Sequence, residues 1–125
     1  MVKGAEQRYT RAWGLEKRDP AEAAYWYALA ASDGEAKALT NLGIIVARGF
    51  GTTKPDPVDA MLLWHAAAAR GEVFAMFNLG GLYERGIGLS VDLARARSWY
   101  QRAAALNHPG ARGAEAVRGR ARIAK

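Results

Sequence analysis

Cysteine is absent from the 125 residues, which removes a disulfide framework, a thiolate metal site and a thiol nucleophile together. Histidine is almost as scarce. His65 and His108 stand 43 positions apart with no second ligand at metal spacing, so neither a metal nor any other cofactor is expected. Ser-x-x-Lys, Gly-x-Ser-x-Gly and His-Glu-x-x-His do not occur, and no nucleophile has a base beside it, which argues against an enzyme. No apolar run approaches the roughly 20 residues of a membrane span, and "MVKGAEQRYTRAWG" holds no segment of signal-peptide length. A cytoplasmic chain is the expectation, with the periplasm open if a leader precedes this sequence. At this length one domain is expected, and half of its residues are apolar, enough to bury a core.

Acidic residues are also missing from one end. Residues 1–94 carry ten Lys/Arg against eleven Asp/Glu, whereas residues 95–125 carry eight against one, so the net charge of +6 is C-terminal. Arg112, Arg118, Arg120, Arg122 and Lys125 gather there with Glu115 alone opposing them. Such an end suits a polyanion, nucleic acid included; it equally suits a solvated helix end. The segment lacks the interleaved aromatics of single-strand binders, which favours the second reading.

What is present is repetition. The Gly-Ile-Gly of "NLGGLYERGIGLSVD" (78–92) could pass for a phosphate-gripping loop, but it follows a helical apolar pattern, Ala75, Leu79, Leu82 and Tyr83, where such a loop needs a strand. The stretch instead copies "NLGIIVARGFGTTKPD" (41–56): Asn41, Leu42, Gly43, Gly49 and Gly51 return 37 places later as Asn78, Leu79, Gly80, Gly86 and Gly88. Asp19, Asp56 and Asp92 each precede a common set at helical offsets: Ala23, Trp26, Tyr27, Ala30, Ala31; Ala60, Leu63, Trp64, Ala67, Ala68; Ala96, Trp99, Tyr100, Ala103, Ala104.

The unit reads as a first helix (35–48, 72–85), a glycine turn and a second helix capped by the aspartate, with Pro20 and Pro57 at the first helical position. Glu22 completes a capping-box spacing with Asp19, and Gly34 and Gly71 end the second helices. Residues 1–14 align with the tail of a first helix and its turn, Gly14 at the second turn glycine and Glu6 in place of the close-contact glycine. Trp26, Trp64 and Trp99 are expected to be buried at successive pair interfaces. Tyr9, Tyr27, Tyr83 and Tyr100 are expected in the core, leaving Trp13 and Tyr25 exposed.

These residues resemble the Sel1-like repeats, α/α relatives of the tetratricopeptide repeats: Ala, Leu-Gly, an aromatic, Gly-x-Gly, Asp, Ala, Trp-Tyr, Ala-Ala, Gly. Val46, Leu63 and Asn107 depart from the pattern. The resemblance implies an all-α fold, a right-handed superhelical solenoid of helix pairs, divided as a partial repeat 1–33, repeats 34–70 and 71–107, and a C-terminal capping half-repeat 108–125. It further implies a non-catalytic scaffold that binds an unidentified protein or peptide on the concave face of its first helices. Carried over by alignment, that face comprises Lys37, Thr40, Asn41, Ile44 and Arg48, then Phe74, Phe77, Asn78, Gly81 and Arg85, with Phe74 and Phe77 as anchors lying off the core stripe. Asn41 and Asn78 form a rung whose amides suit a peptide backbone or neighbouring backbone.

Overall fold

The computed structural model describes residues 2–16, 18–49 and 54–106, and among the described residues it contains six helices and no strand. They are α1 (Val2–Leu15), α2 (Pro20–Ser32), α3 (Ala36–Arg48), α4 (Pro57–Ala69), α5 (Val73–Arg85) and α6 (Leu93–Ala105).

Each second helix starts where the aspartate stands. The carboxylates of Asp19, Asp56 and Asp92 accept from the backbone N–H of Glu22, Asp59 and Arg95 at 3.1, 3.0 and 3.0 Å, satisfying one orphan donor apiece. The expected capping box is only half made. Glu22 turns forward, where its carboxylate accepts from Trp26 Nε1 at 3.4 Å, and the Asp19 N–H already donates to the Leu15 carbonyl at 2.8 Å. Gly34 and Gly71 follow α2 and α4 at φ +100° and +85°, a conformation that costs any residue with a Cβ.

The first helices do not all stop alike. α3 ends at Gly49 and α5 at Gly86, with φ of +86° and +67°. In the first copy the aligned residue is Ala12, which is fully buried, and the helix runs on through Gly14 to Leu15. The turn expected at residues 12–14 is therefore displaced beyond Leu15, because alanine resists the left-handed step that glycine takes.

The chain divides into two compact units, Met1–Glu72 and Val73–Lys125. In the first, α1 packs on α2, α2 on α3 and α3 on α4, and Ala12, Ala23, Ala24, Tyr27, Ala30, Ala38 and Ile45 of α1, α2 and α3 form one core cluster. In the second, α5 packs on α6 with Leu79, Ala96, Tyr100 and Ala103 buried. Alanines dominate the first cluster because small side chains let helix axes close up, and large rings then fill single positions; in the second, leucines and tyrosines share the interior with them.

Which ring is buried differs from expectation. Trp64 is only 6% exposed, but Trp26 and Trp99 are half-buried; the interior belongs to Tyr27 and Tyr100, at 0% and 2%. Trp64 occupies their place, eight residues after the capping aspartate, whereas Trp26 and Trp99 lie one residue earlier. That single step, about 100° around the helix, carries the indole to the rim. There the Arg11 and Arg102 guanidiniums lie 4.4 and 4.2 Å from the two indole centroids.

Candidate functional site

The candidate residues lie on α3 in the first unit and on α5 in the second, and each helix by itself sorts them by exposure. Lys37, Arg48, Phe74 and Arg85 are exposed, Phe74 by 55%. Ile44, Asn41, Phe77 and Asn78 are half-buried, while Thr40 and Gly81 are buried. Helical spacing accounts for the pattern: on α5, Phe74, Asn78 and Arg85 flank the buried stripe of Ala75, Leu79 and Leu82.

Several of these side chains are committed inside the repeat. Thr40 Oγ1 donates to Glu72 Oε1 at 2.6 Å, and the Thr40 carbonyl accepts from Trp64 Nε1 at 3.0 Å. Asn41 Nδ2 donates to the hydroxyls of Tyr9 and Tyr27 at 3.0 and 3.1 Å, using both of its hydrogens and leaving only Oδ1 to accept. The positions equivalent to Tyr9 and Tyr27 one repeat on are Val46 and Trp64, neither with a hydroxyl to engage Asn78 in the same way. Burial raises the Tyr27 phenol well above its usual range, the Asn41 hydrogen bond works against that rise, and the Glu16 carboxylate adds to it.

On α5 the two phenylalanines part company. Phe77 packs on Tyr100 with ring centroids 5.6 Å apart, so it belongs to the α5–α6 contact rather than standing off the core. Phe74 keeps more than half of its surface in solvent. Arg85 lies back along its own helix, and a Cβ added to Gly81 would meet its Nη2 at 3.0 Å. Gly81 thus contributes room for the guanidinium rather than a contact of its own.

Sequence reasoning missed the polar contacts that cross between elements. The Tyr9–Asn41–Tyr27 cluster, the Thr40–Glu72 bond and the Tyr100 hydroxyl donating to Glu84 at 2.6 Å join residues 14 to 32 positions apart, and no local spacing announces them. Arg102 over Trp99 was accessible in principle, since three residues is helical contact spacing. Trp13 and Tyr25 stand exposed at 65% and 59%, as expected. Arg112, Arg118, Arg120, Arg122 and Lys125 lie outside the described residues. Among the described residues no helix is long and apolar enough to cross a membrane.

Two solved structures share this architecture. A protective antigen present in uropathogenic Escherichia coli strains, c5321, which displays an SLR fold, superposes with a TM-score of 0.84 at 21% identity over 93% of this chain and 26% of its own. A Sel1 repeat protein from Oxalobacter formigenes superposes at 0.81 with 27% identity over 90% of this chain and 48% of its own. The present chain therefore spans about a quarter of the one and about half of the other. No curated protein gives a significant match. The Sel1 repeat model itself matches three times in tandem, over residues 5–35, 36–72 and 73–108, and the chain belongs to the Sel1 repeat family.

Proposed function

We propose that this chain is a non-catalytic scaffold that takes a peptide or protein partner on its first-helix faces. Sel1 repeats are in general protein–protein interaction modules. The observation that carries the finer reading is Phe74, a large aromatic side chain 55% exposed on a first helix, with Asn78 and Arg85 on the same side of α5. A partially exposed ring beside an amide and a guanidinium offers an apolar anchor with polar contacts around it, the usual make-up of an energetic centre in an interface. On α3 the contribution comes from Lys37, Ile44 and Arg48, with Asn41 reduced to an acceptor and Thr40 supporting from beneath.

The test is selection from a displayed random-peptide library on immobilised protein. Wild type enriches a family of sequences, and Phe74→Ala with Asn78→Ala loses the enrichment by tenfold or more while melting within a few degrees of wild type. Unchanged enrichment moves the site off α5. Phe77→Ala separates packing from binding, since its loss lowers the melting temperature through the Tyr100 contact.

The rival reading places function at the arginine-rich end. Replacing three of Arg112, Arg118, Arg120 and Arg122 with glutamine would then weaken DNA or RNA binding and flatten its salt dependence by about one slope unit per lost phosphate contact. Absence of micromolar binding at physiological salt removes this alternative.

A further inference from the structure

The second helices can be compared position by position, counted from the capping aspartate. Two, six, ten and thirteen residues on stand Ala21, Tyr25, Leu29 and Ser32 on α2, Val58, Leu62, Ala66 and Ala69 on α4, and Ala94, Ser98, Arg102 and Ala105 on α6. These offsets span about 80° of helix surface, so each set is one face. On α4 that face is wholly apolar, and all four residues are exposed, Leu62 by 59% and Val58 by 47%. A helix apolar on its outer side as well as its inner one has the pattern of a helix covered on both.

The ends of this stripe carry opposite charges. Asp59, next to Val58, and Arg70, next to Ala69, fall along the same edge by helical spacing, and Asp59 is the only residue of fixed charge between Asp56 and Arg70. Both are exposed, and among the described residues neither has an ion-pair partner. Repulsion from Asp56 raises the Asp59 carboxyl above its usual range, so a cation brought to that end is favoured. Arg70 of the same chain cannot be that cation, because roughly 16 Å of helix separates the two.

A second copy can bring it. Turning another α4 end over end about a two-fold axis places Arg70 of each helix against Asp59 of the other, and Leu62 of each over Ala66 of the other, large side chain on small. The other two second helices fail the same operation. On α2 the end positions hold Glu22 and Asp33, so like charges would meet, and Asp33 is already paired with Arg8. On α6 Arg102 stands in the place of Ala66 and puts a guanidinium into the contact. Residues 1–72 hold nine Lys/Arg and nine Asp/Glu, so no net charge on the first unit opposes the approach. A membrane surface is a poorer match, since no row of Lys or Arg flanks the stripe.

We propose that α4 is a self-association face, on which two copies of this chain pair antiparallel through Val58, Leu62, Ala66 and Ala69, with Asp59–Arg70 ion pairs at both ends. The inference is independent of the peptide site on α5. One helix pair is a small interface, so the dimer is weak and depends on concentration.

Sedimentation equilibrium of the full chain from about 10 µM to about 1 mM tests it, and wild type should pass from monomer towards dimer over that range. Leu62→Glu should raise the dissociation constant by about tenfold or more with an unchanged circular dichroism spectrum. Asp59→Lys and Arg70→Glu should each raise it by about threefold or more at low salt, and the double variant should return to within about twofold of wild type. Should Asp59→Lys fray the start of α4, a mixture of Leu62→Cys and Ala66→Cys chains decides the geometry, the protein having no other cysteine: oxidation should link the two variants to each other more than either to itself. A wild type that stays monomeric throughout, a dimer indifferent to Leu62→Glu, a double variant no tighter than the single ones, or cysteine variants that link mainly to themselves overturns the proposal. Monomer throughout, with co-sedimentation on phosphatidylcholine vesicles that Leu62→Glu abolishes, overturns it in favour of a lipid surface.

Discussion

In the α3–α4 pair the buried ring is an indole pressed on Gly43; in the α5–α6 pair it is a phenol pressed on Gly80. A Cβ added at Gly43 would stand 2.8 Å from Trp64 Cδ1, and one added at Gly80 would stand 2.6 Å from Tyr100 Cδ1, both far inside van der Waals contact. The glycine admits a flat ring against helix backbone, and either ring fills the space. What differs is where the polar atom goes. Trp64 Nε1 donates to the Thr40 carbonyl on α3, whereas the Tyr100 hydroxyl donates to the Glu84 side chain on α5. The α1–α2 pair lacks the glycine, since Glu6 stands there and is exposed; Tyr27 is buried instead beside Tyr9, with ring centroids 5.6 Å apart, and its hydroxyl accepts from Asn41. The repeat therefore conserves within itself a shape, a flat ring at one helical position, and improvises the hydrogen bond that ring requires.

The sharpest way to break the comparison is to remove the ring. Trp64→Ala should destabilise by roughly 3–5 kcal/mol, because a buried indole leaves a cavity the alanine-lined pair cannot collapse into. Trp99→Ala, half-buried under Arg102, should cost well under half as much; equal losses in urea melts of the two variants would show that the rim and interior positions are not distinct.

A smaller effect is expected from filling the gap. Gly43→Ala and Gly80→Ala should each cost about 1–3 kcal/mol from the ring clash, even though alanine favours a helix by about 1 kcal/mol over glycine. Glu6→Ala, at the aligned place in α1, should be neutral or stabilising. Melting temperatures of the three variants decide whether the glycine is required by the ring or merely inherited with the repeat.

The smallest expected effect concerns pH. Tyr27 is held protonated in the fold, chiefly by burial, so the unfolded chain releases this proton first as pH rises. Its contribution is fully present below the ordinary tyrosine value near 10 and declines above it. Wild type should lose stability between about pH 10 and 11 faster than Tyr27→Phe does. Parallel declines would remove Tyr27 from the account.

The fold was legible because its signals are local. Three aspartates, a shared set of offsets and the glycines between them fix where helices begin, end and turn, through donors, dihedrals and apolar periodicity that neighbouring residues decide among themselves. Even the departure at Ala12 could be read in the sequence, since the glycine that would have turned the chain is not there. Much less of the candidate site was legible. Alignment named Asn41 and Asn78 as equals, yet Asn41 gives both hydrogens to tyrosines 32 and 14 residues away. Phe74 and Phe77 are three residues apart on one helix, and one is exposed while the other is drawn onto Tyr100 from α6. Sequence by itself determined the helices, the caps and the repeat register. Only the tertiary structure decided which ring is buried, which amide is already used and which aromatic still faces solvent, because those depend on what a neighbouring helix brings within hydrogen-bonding or packing distance.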